Sequence, residues 1–267
     1  MKRKILFLGC GNMGEAILAS LKASALSKKL DFFILEKDKR KEKKLTKKYK
    51  AKKFKSANYD IIILAVKPQN KFEAVELLKN IKFRVLITIL AGVKISFFEK
   101  HLGKIPVMRV MPNLGVKAGK GVAGIYANSR LKNKNLKNLR NLCEKIFTSC
   151  GIVVPVKKEQ GLDRITAISG SGPAYVCYFL EALIEAAQKL NFKKKTALEI
   201  SLATFEGAIE VLKKLNMEPK NLRIAVTSPK GTTHEAISVF ERRNLKKIIL
   251  TACSKAFKRA VELGRSK

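Results

Sequence analysis

Lys4-Ile5-Leu6-Phe7-Leu8-Gly9-Cys10-Gly11-Asn12-Met13-Gly14 decides how this chain begins to fold. A short apolar run with strand character leads into a complete GxGxxG turn, and residues 12–23 continue with helical spacing. The glycine pattern alone is a weak signal. Its meaning comes from the strand before it, the helix after it and an acidic residue closing the second strand. Gly9 permits the tight turn, Gly11 lets the backbone approach a pyrophosphate, and Gly14 lets the helix pack closely on the strand. Glu36 follows Gly14 by roughly 20 residues, where a carboxylate accepts hydrogen bonds from an adenosine ribose. That position favours NADH. Lys37, Lys39 and Arg40 come next and suit a ribose 2′-phosphate, so NADPH stays open beside it. Gly9, Gly11, Asn12, Met13, Gly14, Glu36 and Lys37 are therefore the first cofactor-binding candidates.

With 267 residues and 46% hydrophobic content, the chain is long enough for one large core or two smaller ones. No apolar run approaches the roughly 18 residues of a membrane helix, and the N-terminus enters a strand instead of a signal-peptide pattern. The expectation is a soluble cytoplasmic protein with no membrane partner. The five cysteines are scattered without a CxxC pair, and His101 and His234 lie far apart, so neither a disulfide framework nor a metal site is expected. Cys10 reads as a small residue filling a tight turn. The net charge of +35 raises the question of nucleic acid. Its composition argues against that partner: 44 lysines outnumber 12 arginines and are spread over nearly every predicted exposed surface. Arginine is the residue suited to bidentate reading of phosphates and bases.

Apolar runs alternate with helical patterns through the first half, as in a parallel α/β sheet. Strands are expected at residues 4–8, 31–35, 51–54, 60–66, 85–89, 107–110, 122–126 and 152–156, with a lysine-rich helix after the second and a helix near 131–148. Beyond Pro155 the apolar spacing turns helical. Helices are expected over 174–190, 194–215, 233–241 and 245–263, the first being apolar nearly all round and so expected to be buried. Ser171-Gly172-Pro173 reads as its start, with a capping hydroxyl. A Rossmann-type dinucleotide-binding domain over 1–157 and an all-helical domain over 158–267 follow from this pattern.

Ala65-Val66-Lys67-Pro68 lies at the carboxyl end of the fourth strand, the edge where open parallel sheets bind ligands. Met111-Pro112-Asn113 follows a later strand, where the asparagine either borders the nicotinamide or forms an ordinary turn. Ser228-Pro229-Lys230-Gly231-Thr232-Thr233 opens onto a helix whose first-turn N–H groups lack intrahelical partners, which suits a small carboxylate. His234 sits in that first turn and reads as solvent-facing.

Taken with Arg109-Val110-Met111-Pro112-Asn113, Ser169-Gly170-Ser171-Gly172-Pro173-Ala174-Tyr175 and Val226-Thr227-Ser228-Pro229, these motifs resemble the pyrroline-5-carboxylate reductases along essentially the whole chain. The resemblance implies NADPH or NADH as cofactor, and a helical domain that interlocks with that of a partner subunit in a homodimer or a ring of dimers. It also implies an active site shared between chains and reduction of 1-pyrroline-5-carboxylate to L-proline. Thr233 would act as the catalytic residue at the ring nitrogen. Ser171, Gly172, Ser228, Gly231, Thr232 and Thr233 would bind substrate. Ala65, Val66, Lys67, Pro68, Met111, Pro112 and Asn113 would join the cofactor contacts. The chain departs from the family pattern at Lys230, where a glycine is usual, at Leu114-Gly115 in place of Thr-Pro, and at Ile224 in place of an aspartate. The link between the third and fourth strands is also short. Another Rossmann reductase with a helical second domain, a nucleic-acid binder and an inactive relative are the competing readings.

Overall fold

A computed structural model describes residues 2–264. The outermost positions of the two expected domains, Met1 and 265–267, lie outside the described residues. In chain order the elements are β1 (Arg3–Leu8), α1 (Asn12–Ala23), β2 (Leu30–Leu35), α2 (Lys39–Tyr49), β3 (Lys52–Lys53), β4 (Tyr59–Leu64), α3 (Lys71–Lys79), β5 (Phe83–Thr88), α4 (Ile95–Leu102), β6 (Val107–Pro112), β7 (Gly121–Ala127), α5 (Lys137–Thr148) and β8 (Gly151–Pro155). Helices follow: α6 (Gly161–Ile165), α7 (Gly172–Lys189), α8 (Lys194–Lys214), α9 (Pro219–Ala225), α10 (Thr232–Arg242) and α11 (Leu245–Leu263). Two compact units result. One runs to Ser171 and takes in the chain from Ala256 onward, and the other is Gly172–Lys255.

The strands of the first unit form one sheet in the order β3-β2-β1-β4-β5-β6-β7-β8. Their near-continuous apolar character has a direct cause. Alternate side chains enter cores on opposite faces: Ile5, Phe7, Ile61 and Ile63 pack with Ile17 and Leu21 of α1, while Leu6, Leu8, Ile62 and Leu64 pack with Val75 and Leu78 of α3 and Phe98 of α4. A strand buried on both faces has no polar side to show.

Several expectations need correction. The sheet is parallel only from β3 to β6, because β7 pairs antiparallel with β6, and β8 parallel with β7. The link from β6 to β7 holds only a 3₁₀ turn, Leu114–Ala118, which is too short for the crossover that a parallel neighbour requires. β3 is reduced to two residues. β4 ends at Leu64, which leaves Ala65 and Val66 in the turn beyond it, and β6 continues through Met111 and Pro112. Ser171 does not cap a new helix. Its backbone is helical (φ −86°, ψ −20°), and its N–H donates to the Thr166 carbonyl at 2.9 Å, so it continues a π turn, Thr166–Gly170, that follows α6. An N-cap residue would adopt an extended conformation.

Helix α7 is not buried within the chain. Of its residues only Ala187 is buried, and Tyr178 is 74% exposed. The apolar side chains of Tyr178, Phe179 and Leu183 stand exposed on it, a patch larger than scattered surface residues make.

Beneath β6 lies a buried charge cluster. Arg109 Nη1 donates to Glu159 Oε1 at 2.9 Å, its Nη2 lies 3.9 Å from Asp163 Oδ1, and the same Glu159 oxygen accepts the Ile95 N–H at the start of α4 at 2.9 Å. Burial raises the Asp163 carboxyl above its ordinary range in spite of the Arg109 charge. Removing the guanidinium strands two largely buried carboxylates. Arg109→Met is expected to lower unfolding free energy by about 3–5 kcal/mol in urea denaturation, and a loss below ~1 kcal/mol would show the cluster to be unimportant. Cys10 is wholly buried and its thiol is pushed up to about 12, by burial first and the nearby Glu15 charge second. In native protein at mildly alkaline pH, mass spectrometry should find Cys10 unmodified by iodoacetamide. Labelling at the rate of a free thiol would contradict this burial.

Candidate functional site

The glycine turn is built by proximity to the end of β4. Gly9 has φ +71°, and a Cβ added there would meet Val66 Cγ1 at 2.6 Å; one added at Gly14 would meet Ala65 Cβ at 2.9 Å. Side chains at either position would push α1 off the sheet. Gly11 differs, because a Cβ there would find only the Ala65 carbonyl oxygen at 3.9 Å. Its need for glycine comes from the open side, where a ligand backbone can approach. Gly11 is also the extended N-cap of α1 and offers no side chain to the first-turn amides. Helix α2 shows the alternative, since Asp38 accepts from Arg40 and Lys41 N–H groups at its start. Glu15, in the first turn of α1, is held by Lys48 Nζ and Tyr49 Oη, each at 2.9 Å, and the Lys48 bond keeps its carboxyl below the usual range. Its charge is thereby tied to α2.

A cleft of about 640 Å³ opens at this edge, lined by Gly9, Cys10 and Gly11, by Glu36 and Lys37, by Ala65, Val66 and Lys67, and by Glu73. Four segments of chain thus bring half of the expected cofactor residues together. Asn12, Met13 and Gly14 follow at the start of α1, and exposed Pro68 opens a 3₁₀ turn, Pro68–Asn70, that leads into α3. Glu36 Oε2 accepts the Cys10 N–H at 2.9 Å and Oε1 accepts the Lys37 N–H at 2.9 Å, so the carboxylate is locked against the turn. A hollow of similar size along the far side of α1 includes only Asn12 among the expected residues.

Met111, Pro112 and Asn113 stand elsewhere, toward the π turn. Asn113 Nδ2 donates to the Ser169 carbonyl and hydroxyl oxygens, both at 3.1 Å, while Oδ1 accepts from Gly115 N–H at 3.2 Å and Val122 N–H at 3.0 Å. Its amide is saturated by these four contacts. It ties the β6–β7 turn to Ser169. Gly115 fits where a Cβ would meet the Lys120 carbonyl oxygen at 2.7 Å, which accounts for glycine at one of the departing positions.

In the second unit, Gly231 is the extended N-cap of α10 (φ −81°, ψ 174°), with no side-chain cap. A Cβ at Gly231 would collide with the Ser228 hydroxyl oxygen. The Ser228 carbonyl accepts the Gly231 N–H at 3.1 Å, which folds the turn tightly back on itself. Lys230 takes the left-handed conformation (φ +59°), so the turn forms with lysine where a glycine would adopt that backbone without steric cost. Thr232 is exposed and Thr233 half-buried in the first turn. His234 is exposed, with its Nδ1 3.3 Å from the adjacent Glu235. Uncapped starts also occur at α4 and α8, where lysines precede the helix. What distinguishes α10 is its glycine start between Ser228 and two threonines.

Sequence reasoning missed Glu73 and its helix. No motif points to it; only the placement of a helix after the fourth strand would have done so. It also left unread the role of the Cys10 amide, which is the donor that fixes Glu36.

Residues 159–263 match the family described as pyrroline-5-carboxylate reductase dimerisation, and residues 4–92 the family described as NADP oxidoreductase coenzyme F420-dependent. A pyrroline-5-carboxylate reductase of Aquifex aeolicus is 35% identical, with 96% of each chain covered. Among solved structures, a pyrroline-5-carboxylate reductase from Coxiella burnetii superposes with a TM-score of 0.89 at 33% identity over 100% of both chains. The Plasmodium falciparum pyrroline carboxylate reductase, solved with NADP bound, does so at 0.79 and 29% identity over 98% of each. Identity at this level along nearly the full length of both sequences places the chain in the pyrroline-5-carboxylate reductase family.

Proposed function

We propose that the chain reduces 1-pyrroline-5-carboxylate to L-proline with NADPH or NADH, the final step of proline biosynthesis. The observation that carries this reading is the glycine-started helix at Gly231-Thr232-Thr233, with Ser228 folded beneath it, in a chain that also builds a dinucleotide-type glycine turn. A small carboxylate suits the unpartnered amides of that helix start. The open side of Gly11 and the uncapped first turn of α1 suit a pyrophosphate. When bound, the reduced nicotinamide supplies the hydride.

The substrate asks little acid–base work of the protein. Its cyclic imine, protonated at the ring nitrogen, accepts hydride at carbon; the C=N double bond becomes a single bond and the nitrogen keeps its proton as a secondary amine. The protein must orient the imine and exclude water, and the reacting carbons must approach to about 3–3.5 Å. In this reading the amides of Thr232 and Thr233 hold the carboxylate, with Gly231, whose N–H is given to Ser228, as the uncapped start and Ser228 bracing the turn, and the Thr233 hydroxyl contacts the ring nitrogen. Ser171 and Gly172 wall the substrate. Gly9, Gly11, Asn12, Met13 and Gly14 seat the pyrophosphate, Glu36 and Lys37 meet the adenosine, and Ala65, Val66, Lys67, Pro68, Met111, Pro112 and Asn113 complete the cofactor side. The functional boundary falls at 157–158, with dinucleotide binding before it and pairing and substrate capture after it.

Family membership and the match to a dimerisation family support a homo-oligomer. We place its contact surface on the second unit, where a groove of about 770 Å³ is almost wholly apolar and includes Tyr178, Phe179, Leu183, Ile248 and Ile249. Assembly of such pairs into a ring extends the same reading. Among the described residues no helix is long and apolar enough to cross a membrane, and no cluster of three or more His, Cys, Asp or Glu side chains could hold a metal ion. Five cysteines without a disulfide fit the reducing cytoplasm.

Loss of absorbance from the reduced nicotinamide on adding 1-pyrroline-5-carboxylate tests the activity directly. Thr233→Ala is expected to lower kcat about ten- to a hundredfold while dinucleotide Kd stays unchanged. Unchanged turnover would remove Thr233 from the chemistry, and absence of any turnover in the parent protein would overturn the reaction itself.

A further inference from the structure

The adenosine end of the cleft holds more acid than the dinucleotide fingerprint accounts for. Glu36 is locked to the glycine turn by its bonds from the Cys10 and Lys37 N–H groups, and Lys41 Nζ stands 3.8 Å from it. A second carboxylate, Glu73, reaches the same cleft from the first turn of α3. It grips Lys37 Nζ with both oxygens, at 3.1 and 3.3 Å. Lys39 Nζ is turned to Glu42 and to the Glu36 carbonyl, each at 3.4 Å. The three lysines that line this side of the cleft, Lys37, Lys39 and Lys41, are therefore all committed to carboxylates.

We propose that Glu73 is a specificity-determining residue that, with Glu36, makes the chain prefer NADH to NADPH. This rests on the reductase reading given above. A ribose 2′-hydroxyl finds in Glu36 an oriented acceptor. A 2′-phosphate brings roughly two further negative charges to the same place, as a phosphate monoester does near neutral pH. There it meets Glu36, Asp38 and Glu73, and can recruit Lys37 only by drawing it away from Glu73. Glu73 acts through Lys37, as a positioning residue, and also by direct repulsion. Both partners are well exposed, Lys37 at 80% and Glu73 at 52% of the side chain, so the pair is weak and the preference it sets is several-fold, not absolute.

The test is calorimetric titration of NADH and NADPH into the full-length protein and into Glu73→Gln, Lys37→Ala and the double variant. The parent protein should bind NADH more tightly. Glu73→Gln should tighten NADPH about two- to fivefold and leave NADH nearly unchanged, a size set by exposed ion pairs. Lys37→Ala, which removes a cation from the cleft and leaves Glu73 unpaired, should weaken NADPH more than NADH, and in the double variant part of the gain for NADPH should vanish. Tighter binding of NADPH by the parent, equal shifts for both dinucleotides, or a gain that survives intact without Lys37 would each overturn the proposal and leave the reductase reading standing. Failure of the parent to bind either dinucleotide would overturn both.

Discussion

The first unit depends on one close approach: the glycine turn after β1 lies against the first two residues beyond β4. Gly9 and Gly14 are both within van der Waals exclusion of Ala65 or Val66 for any added Cβ. That contact sets the depth at which α1 packs, and with it the direction in which the α1 amides point. It also places the Cys10 N–H where the Glu36 carboxylate, at the end of β2, can accept it. Three neighbouring strands, β2, β1 and β4, are in this way joined at one edge by a turn, a carboxylate and a pair of small side chains. The parallel register brings the carboxyl ends of these strands level with one another, the edge at which open parallel sheets offer a ligand crevice.

Charge shapes this edge as strongly as packing does. With 56 basic residues against 21 acidic ones, cations outnumber carboxylates by more than two to one. In the cleft this produces ordered pairings, Lys37 with Glu73, Lys39 with Glu42 and Lys41 with Glu36. At the start of α1 it ties Glu15 to Lys48. Several of the acids thus cluster at the edge that carries the glycine turn, each with a lysine beside it. Inside the sheet, the Arg109 cluster reverses the ratio, with one guanidinium between two carboxylates.

Much of this was legible in the sequence because the governing interactions are local. The strand, glycine turn and helix over residues 3–23 lie close to where periodicity and the GxGxxG spacing put them, and the glycine start of α10 is readable from six consecutive residues. The rest depended on distance in the chain. Helices α3 and α4 are short, and their apolar residues sit between stronger strand signals. The reversal of β7 follows from the length of a connection, not from any side chain. Exposure of α7 could not be read from its apolar composition, which reports the cover a helix needs and not which chain provides it. Lys230 shows a further limit: only the backbone reveals that lysine takes the positive φ. Glu73 and Lys37 are separated by 36 residues, and their pairing required the fold that joins α3 to the end of β2.

In the proposed reaction a dinucleotide seated on the α1 turn gives hydride to an imine whose carboxylate is held at the start of α10. A crystal structure of the protein with oxidised dinucleotide and L-proline tests it most directly. The expected result is the pyrophosphate on the amides of residues 11–14, the proline carboxylate on those of Thr232 and Thr233, and the nicotinamide carbon about 3–3.5 Å from the proline ring. Proline bound away from Thr232 and Thr233, or a pyrophosphate away from Gly11, would contradict it.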